Sequence, residues 1–316
     1  MKLNDLRPIQ KKTFTGTYRL TGRVTCFDDD GFPYSKLRLS SCTDDVVVLA
    51  AINAMAIPER LSHMELVVVK GHVCIGVEES AILLTDIRRP LRTEVARLPA
   101  LQTLPRTFCP QPEHLDQLIE SVRALESEHL QVFIKRVLER RDRLEIFLKA
   151  PASKCYHHND PGGLLVHSLE VAKGVLNMIR INEPDMPRAL QEVGFVAGLL
   201  HDIGKTFTCD VKGRPTAAAR LCAHDDLTLE VCAFGLAYLD KVDPQAAITL
   251  RHIWTSASPG ARYGMPAAMT LARYVRDADG QSAMADNQRK AFKRREPQGF
   301  ARLGRNAYWL PSLEAR

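Results

Sequence analysis

Between residues 14 and 88 apolar and polar positions alternate in short runs broken by turn residues. "TYRLTGRVTCF" leads into "DDDGFPY"; then come "SKLRLSSC", "DVVVLAA", "MELVVVKGHVCIGV" and, after "EES", "AILLTDI". The period of two and the β-branched content predict five strands, and the Gly, Asp, Pro and Ser clusters predict the turns between them. A short helix is expected over "IPERLSH", between the third and fourth strands. From Arg88 to Pro112 no period holds, and prolines at 90, 99, 105, 110 and 112 predict a linker over 91–112. The period then changes. Leu115, Leu118, Ile119, Val122 and Leu125 form one helical stripe, and Leu130, Phe133, Ile134, Val137 and Leu138 form another. No strand is expected after residue 113.

The pattern therefore predicts a multidomain chain, a small all-β barrel followed by an all-α helical bundle. Five strands with a helix after the third follow the order of the OB-fold, so residues 1–90 are expected to be OB-fold-like; another small barrel or a sandwich is the alternative. Residues 113–316 are expected to form the helical domain, ending in a basic tail.

Composition changes this picture little. The chain has 316 residues, 45% hydrophobic and 25% charged, the profile of a soluble globular protein. No apolar run reaches the roughly 18 residues of a membrane span, and "MKLNDLRPIQKK" has no apolar signal core. A cytoplasmic protein without a membrane partner is expected. The eight cysteines include no CxxC pair, which fits free thiols better than a disulfide framework. The formal charge of +6 is concentrated towards the two ends, in "RPIQKK" and "NQRKAFKRREPQGFARLGR". Solvated surface is the plain reading of such runs, and nucleic acid is the functional one.

Chemistry enters with the histidines. In "HNDPGGLLVHSLEVAKGV" a diglycine turn precedes a helix that is apolar almost all round, and His167 lies inside it. A buried imidazole needs a hydrogen-bond partner or a metal. The next apolar helix, "LQEVGFVAGLL", runs straight onto His201 and Asp202, with Gly204 placed to end it. A divalent cation would share the charge of a buried His-Asp pair. His224 precedes another helix and His252 lies in a mainly apolar one. In "MPAAMTLARYVRDADGQSA", Met269, Ala272, Val275 and Asp279 share a face, whereas Asp277 lies with Thr270 and Arg273. Asp279 is thus the inward acid.

The order H…HD…H…H…D, with "GLLHDIGK" after "GGLLVHS", resembles the HD-domain superfamily of metal-dependent phosphohydrolases. "YHHNDPGGLLVHSLEVA" and the OB-like start resemble the YhaM-type 3′→5′ exoribonucleases within it. "VRDADGQSA" is more similar to the HD domain of TraI-type conjugative relaxases, and "RHIWTSA" departs from the YhaM pattern.

The resemblance implies that His167, His201, Asp202 and Asp279 are metal ligands, with Asp202 bridging, and that His224 and His252 complete a second site. Two divalent ions are implied, Mn, Fe, Mg or Zn. His157, His158 and Lys205 would lie at the rim and meet phosphate, and Asp202, Lys205 and His158 would be the catalytic set. "GxSxG" is absent, and Cys155 beside "YHH" has no evident triad.

The expected function is metal-dependent hydrolysis of phosphodiesters in single-stranded RNA or DNA, with 3′→5′ exonuclease polarity taken from the resemblance. Arg19, Arg23 and Tyr34, among Tyr18, Phe27, Phe32, Lys36 and Arg38, would hold the strand on the barrel. A nucleotide or cyclic-dinucleotide phosphohydrolase and an accessory or relaxase-like DNA-transfer protein are the alternatives. Self-association is left open.

Overall fold

The computed structural model describes residues 2–52, 58, 61–76, 80–154, 157–257, 260, 262, 264–293 and 298–311. The chain divides into two compact units, Met1–Pro112 and Glu113–Arg316. The first is built on a β-sheet and the second is mainly helical.

The first unit contains β1 (Arg7–Phe27), β2 (Pro33–Ser40), β3 (Asp45–Ala51), β4 (Leu66–Ile75) and β5 (Ser80–Arg88). They pair in the order β1-β2-β3-β5-β4, and β1 also pairs with β4, so the sheet closes on itself. Alternation decides the inside. Tyr18, Leu20, Leu37, Leu39, Val48, Ala50, Val67, Val69, Leu84 and Ile87 fill the core. A smaller cluster forms around Leu6, Leu49 and Cys74, with Leu3, Tyr34 and Leu83 packed against it. Of the helix expected over "IPERLSH", residues 57, 59 and 60 lie outside the described residues, and the described residues 58 and 61–63 are not helical.

Residues 91–112 are not a free linker. They contain α1 (Arg92–Arg97) and a turn of 3₁₀ helix at Arg106–Phe108. Leu101, Thr103, Leu104 and Cys109 are buried, and the backbone bonds to the barrel through Cys42 N–H to Gln102 O and Arg106 N–H to Ser41 O. Prolines break the period here without detaching the segment, because irregular turns bury side chains as well as helices do. The Arg19 guanidinium is the fastener. It is 2% exposed and donates to Thr103 O, Thr103 Oγ1 and Met64 O at 3.1, 3.2 and 2.8 Å.

The second unit comprises α2 (Pro112–Arg123), α3 (Glu128–Leu138), α4 (Arg141–Lys149), α5 (Gly163–Asn182), α6 (Arg188–Leu200), α7 (Lys205–Thr208), α8 (His224–Val242), α9 (Pro244–Thr255) and α10 (Thr270–Phe292). The expected stripes of α2 and α3 are buried. Ser127 caps α3 by accepting from Leu130 N–H, and Asp243 with Pro244 starts α9. α5 lies against α6 and α10, and α8 against α3 and α9.

The expectation of no strand after residue 113 is corrected by β6 (Gly299–Leu303) and β7 (Asn306–Leu310), an antiparallel hairpin. Its Ala301, Leu303, Tyr308 and Leu310 pack on Ala291 and Phe292 of α10. "GFARLGRNAYWL" alternates properly, but its arginines make it read as a basic tail. The seven described cysteines are free thiols; Cys155 lies outside the described residues. Among the described residues no helix is long and apolar enough to cross a membrane.

Candidate metal centre

The centre forms where α5, the α6–α7 turn, the start of α8 and the middle of α10 meet. Two glycines allow the approach. A Cβ on Gly163 would lie 2.0 Å from the His158 carbonyl oxygen, so the α5 N-terminus can receive the preceding loop only with glycine there. A Cβ on Gly204 would lie 1.9 Å from the His224 carbonyl oxygen. Gly204 has an ordinary helical φ of −60° and is not a left-handed cap. It is the point where α8 reaches the His201-Asp202 turn. Thr228, one turn into α8, donates its hydroxyl to His201 O at 2.9 Å and holds that contact.

His167 and Asp202 are 0% and 3% exposed, and His201 is half-buried. His167 Nε2 lies 3.4 Å from Asp202 Oδ2 and 3.1 Å from Asp279 Oδ1. His201 Nε2 lies 3.5 and 3.8 Å from the same two oxygens. Neither Nε2 atom has a hydrogen-bond partner among the described residues, although both are buried.

Their tautomers follow from the opposite ring nitrogens. His201 Nδ1 lies 2.8 Å from the Gly198 carbonyl, which only accepts, so Nδ1 carries the proton. The Ser282 hydroxyl donates to Glu170 Oε2 at 2.7 Å and must therefore accept from His167 Nδ1 at 3.0 Å. In both rings Nε2 faces the carboxylates, and in the neutral form it presents its lone pair to them. Two buried lone pairs aimed at two carboxylates call for a positive charge between them, either a proton or a metal ion, and neutral imidazole with carboxylate is a donor set for Zn, Mn or Fe. The residues present fit a divalent metal.

The electrostatics agree. Burial opposes charge on His167, but the Asp202 and Asp279 carboxylates that face its Nε2 outweigh it and lift its pKa to about 9. A field that favours a proton there also favours a metal ion. Burial pushes the Asp202 carboxyl up, yet His201, Lys205, His167 and His224 hold it well below the usual carboxylate range. Asp279 is likewise lowered, by His167 and His201 against burial.

Among the described residues, two sets of side chains converge closely enough to hold an ion, His167–His201–Asp202 and Asp202–His224–Asp225. Asp202 belongs to both, its Oδ1 lying 3.0 Å from His224 Nε2. Asp279 joins the first set through the contacts above.

His252 is in neither. Its Nε2 accepts the Ala268 N–H at 2.9 Å, so α9 spends this ring on a loop, and Asp225, 3.1 Å from His224, stands where His252 was expected. Asp277 pairs with Arg273 at 2.9 Å on the outer face of α10, as the helical phase requires.

The three expected rim residues differ in place. Lys205 Nζ lies 2.5 Å from Asp202 Oδ2, beside the metal ligands. The His157 ring is centred 5.1 Å from that of His167; burial, then the His167 charge, lowers its pKa to about 4. His158 is not at a rim. It is 5% exposed, with Nε2 3.1 Å from Ser282 Oγ and 3.2 Å from Glu170 Oε2, while its backbone N–H donates to Asp286 Oδ2 at 2.7 Å. It supports the ligands from behind.

Glu170, Ser282, Asp286 and Asp225 were not among the expected residues. A signal existed for two of them: Ser282 and Asp286 continue the Val275–Asp279 face at steps of three and four.

Beside the ligands opens a cleft of about 520 Å³, lined by His201, Asp225, Asp226, Trp254, Arg276 and Asp279 among others. Trp254 is fixed by its indole N–H, which donates to Ala197 O at 3.0 Å, and Arg276 donates to the Ser256 and Ala257 carbonyls.

On the barrel, Arg23, Lys36, Arg38, Phe27 and Phe32 are exposed. Arg19 is buried under Thr103 and Tyr18 lies in the core, so neither presents a surface. Tyr34 is half-buried against the Leu6–Leu49–Cys74 cluster.

Residues 102–214 match a family described as TraI_2, putative helicase. The match spans about a third of the chain and includes His157, His158, His167, His201, Asp202 and Lys205. The chain is similar to that family over this segment. A comparison with curated proteins finds no match. The description is not matched by a nucleotide-binding loop at "GKT". Leu199 stands where the first glycine of G-x-x-x-x-G-K-[ST] belongs, and Lys205 is bound to Asp202.

Proposed function

We propose that the chain is a divalent-metal-dependent phosphodiesterase acting on single-stranded nucleic acid, with an HD-type centre in the helical unit and an OB-fold-like barrel before it. The observation that carries this reading is the pair of buried Nε2 atoms of His167 and His201, without a hydrogen-bond partner among the described residues, facing Asp202 and Asp279. His167, His201, Asp202 and Asp279 would hold one ion and Asp202, His224 and Asp225 a second. Ions bound there would supply activation of the attacking water and stabilisation of the phosphoryl oxygens. Lys205 adds fixed positive charge beside Asp202, and Arg276 faces the cleft where a phosphate would enter. His157 lies beside His167, and its lowered pKa keeps it neutral near pH 7, so it would act as a proton acceptor and not as an acid.

Support for the substrate is of a different kind. The strand order β1-β2-β3-β5-β4 is that of an OB-fold, and exposed Arg23, Lys36 and Arg38 with Phe27 and Phe32 give it cations and rings on its surface. The 3′→5′ polarity rests on the YhaM resemblance alone.

The test is add-back of Mn, Mg, Zn or Fe to chelator-stripped protein. Substrates are 3′- and 5′-blocked oligoribonucleotides and oligodeoxynucleotides, a cyclic dinucleotide and a chromogenic phosphodiester. Metal-restored turnover of oligomers that is absent in Asp202→Asn is expected. Undiminished turnover in chelator would overturn the reading.

The match over 102–214 favours a second reading, a component of conjugative DNA transfer in which the same centre binds metal and DNA. Metal binding with no turnover on any substrate, or nicking of a supercoiled plasmid, would select it.

A further inference from the structure

The hairpin that closes the helical unit carries two different faces. Ala301, Leu303, Tyr308 and Leu310 are spent on α10. The opposite face has no such cover among the described residues: Phe300 is 73% exposed and Trp309 54%. They are directly paired across the strands, with ring centroids 4.7 Å apart and planes tilted by 47°. Arg302 follows Phe300 on the same face, Arg305 stands in the turn, and both are exposed. Neither arginine is in an ion pair among the described residues, and Gly299–Leu310 contains no Asp or Glu. Lys293, just after α10, is also exposed.

A water-exposed aromatic pair is costly for a surface with no partner. A hydrophobic protein groove would explain the rings but not the acid-free arginines. Exposed rings flanked by cations that have no acidic partner among the described residues match bases on a phosphate backbone.

We propose that the outer face of the β6–β7 hairpin binds single-stranded nucleic acid, stacking bases on Phe300 and Trp309 and pairing phosphates with Arg302 and Arg305. The surface belongs to the same unit as the metal centre and is joined to it by one rigid element. Asp279 and Phe292 are both on α10, about 20 Å apart along the axis at about 1.5 Å per residue. Single strands that span the distance from the cleft to the hairpin are held at both ends, and dinucleotides are not. Binding at the hairpin needs neither metal nor turnover, so it stands or falls apart from the hydrolytic reading.

The experiment measures binding of the full chain, in chelator, to a fluorescent single-stranded oligomer of about 12 nucleotides, within the range of about 4–16 covered by stacking platforms. Phe300→Leu/Trp309→Leu keeps apolar cross-strand packing and removes the π faces. At least about tenfold weaker binding is expected. Arg302→Gln/Arg305→Gln, which leaves the packed face intact, should reduce the salt slope by about 1.4, at about 0.7 per phosphate contact. Photocrosslinking of a 5-bromouracil oligomer, mapped by peptide mass spectrometry, should mark Phe300 or Trp309. Crosslinks confined to residues 1–112, with unchanged affinity and salt slope in both variants, would overturn the proposal. So would hairpin-dependent binding to anionic vesicles in place of the oligomer.

Discussion

Ser282→Ala isolates the link between the buried network and the metal centre. The hydroxyl lies 3.0 Å from His167 Nδ1, 3.1 Å from His158 Nε2 and 2.7 Å from Glu170 Oε2. Alanine keeps the helix and nearly the volume, but leaves the His167 Nδ1–H without its acceptor. Unfolding free energy in chelator should fall by about 1–3 kcal/mol, the usual cost of a buried polar group left unpaired. Metal affinity should fall separately, by about 10–100-fold, because the ring is no longer held with Nε2 towards Asp202 and Asp279. That factor corresponds to about 1.4–2.8 kcal/mol. Calorimetric titration of stripped protein with Mn²⁺ reads the affinity, and urea unfolding in chelator reads the stability. Lost stability with affinity within about twofold of the parent would refute the reasoning: Ser282 would then pack the helices without orienting the ligand.

Asp202→Asn should empty both proposed ion sites, whereas Asp225→Asn should lower metal content only in the second; elemental analysis of the two proteins distinguishes a shared ligand from an unshared one. Asp279→Asn should weaken metal binding severely and Asp277→Asn hardly at all, since Asp277 is occupied by Arg273 on the outer face. The Glu170 pKa is about 2 because hydrogen bonds from His158 and Ser282 outweigh burial. Its folded value lies below the ordinary 4.5, so protons bind the unfolded chain better. Its contribution is complete above about pH 4.5 and is lost as pH falls towards 2; acid unfolding of Glu170→Gln in chelator should show a flatter dependence in that window. Arg19→Ala should destabilise the barrel unit by about 2–4 kcal/mol, through the carbonyls of Met64 and Thr103 left unpaired. Arg23→Gln/Lys36→Gln/Arg38→Gln should instead leave the melting temperature in place and flatten the salt dependence of oligomer binding.

Local periodicity is why much of this was legible. The strands of 14–88, the stripes of α2 and α3 and the inward phase of Asp279 depend on neighbours two to four residues away, and those are fixed by backbone geometry alone. The His201-Asp202 pair could be identified because a charge-bearing dipeptide at the end of an apolar helix is costly whatever surrounds it. Where periodicity was missing or ambiguous, inference failed. Residues 91–112 bury Leu101 and Leu104 in turns that have no period, and the arginines of "GFARLGRNAYWL" concealed a hairpin.

The sequence by itself determined which faces of the elements are apolar and that His167, His201, Asp202 and Asp279 are directed inward. Only the tertiary structure decided what those side chains meet. Ser282 and Glu170 reach His167 and His158 because α5 and α10 pack together, and α8 brings Asp225 with His224 to Asp202 because Gly204 lets the backbones touch. His252 turns to the Ala268 amide, and Arg19 to Thr103, 84 residues away. A repeat along the chain sets the phase of a helix or strand about its own axis. The partners on each face depend on crossing positions and close approaches between distant segments, and no local period records those.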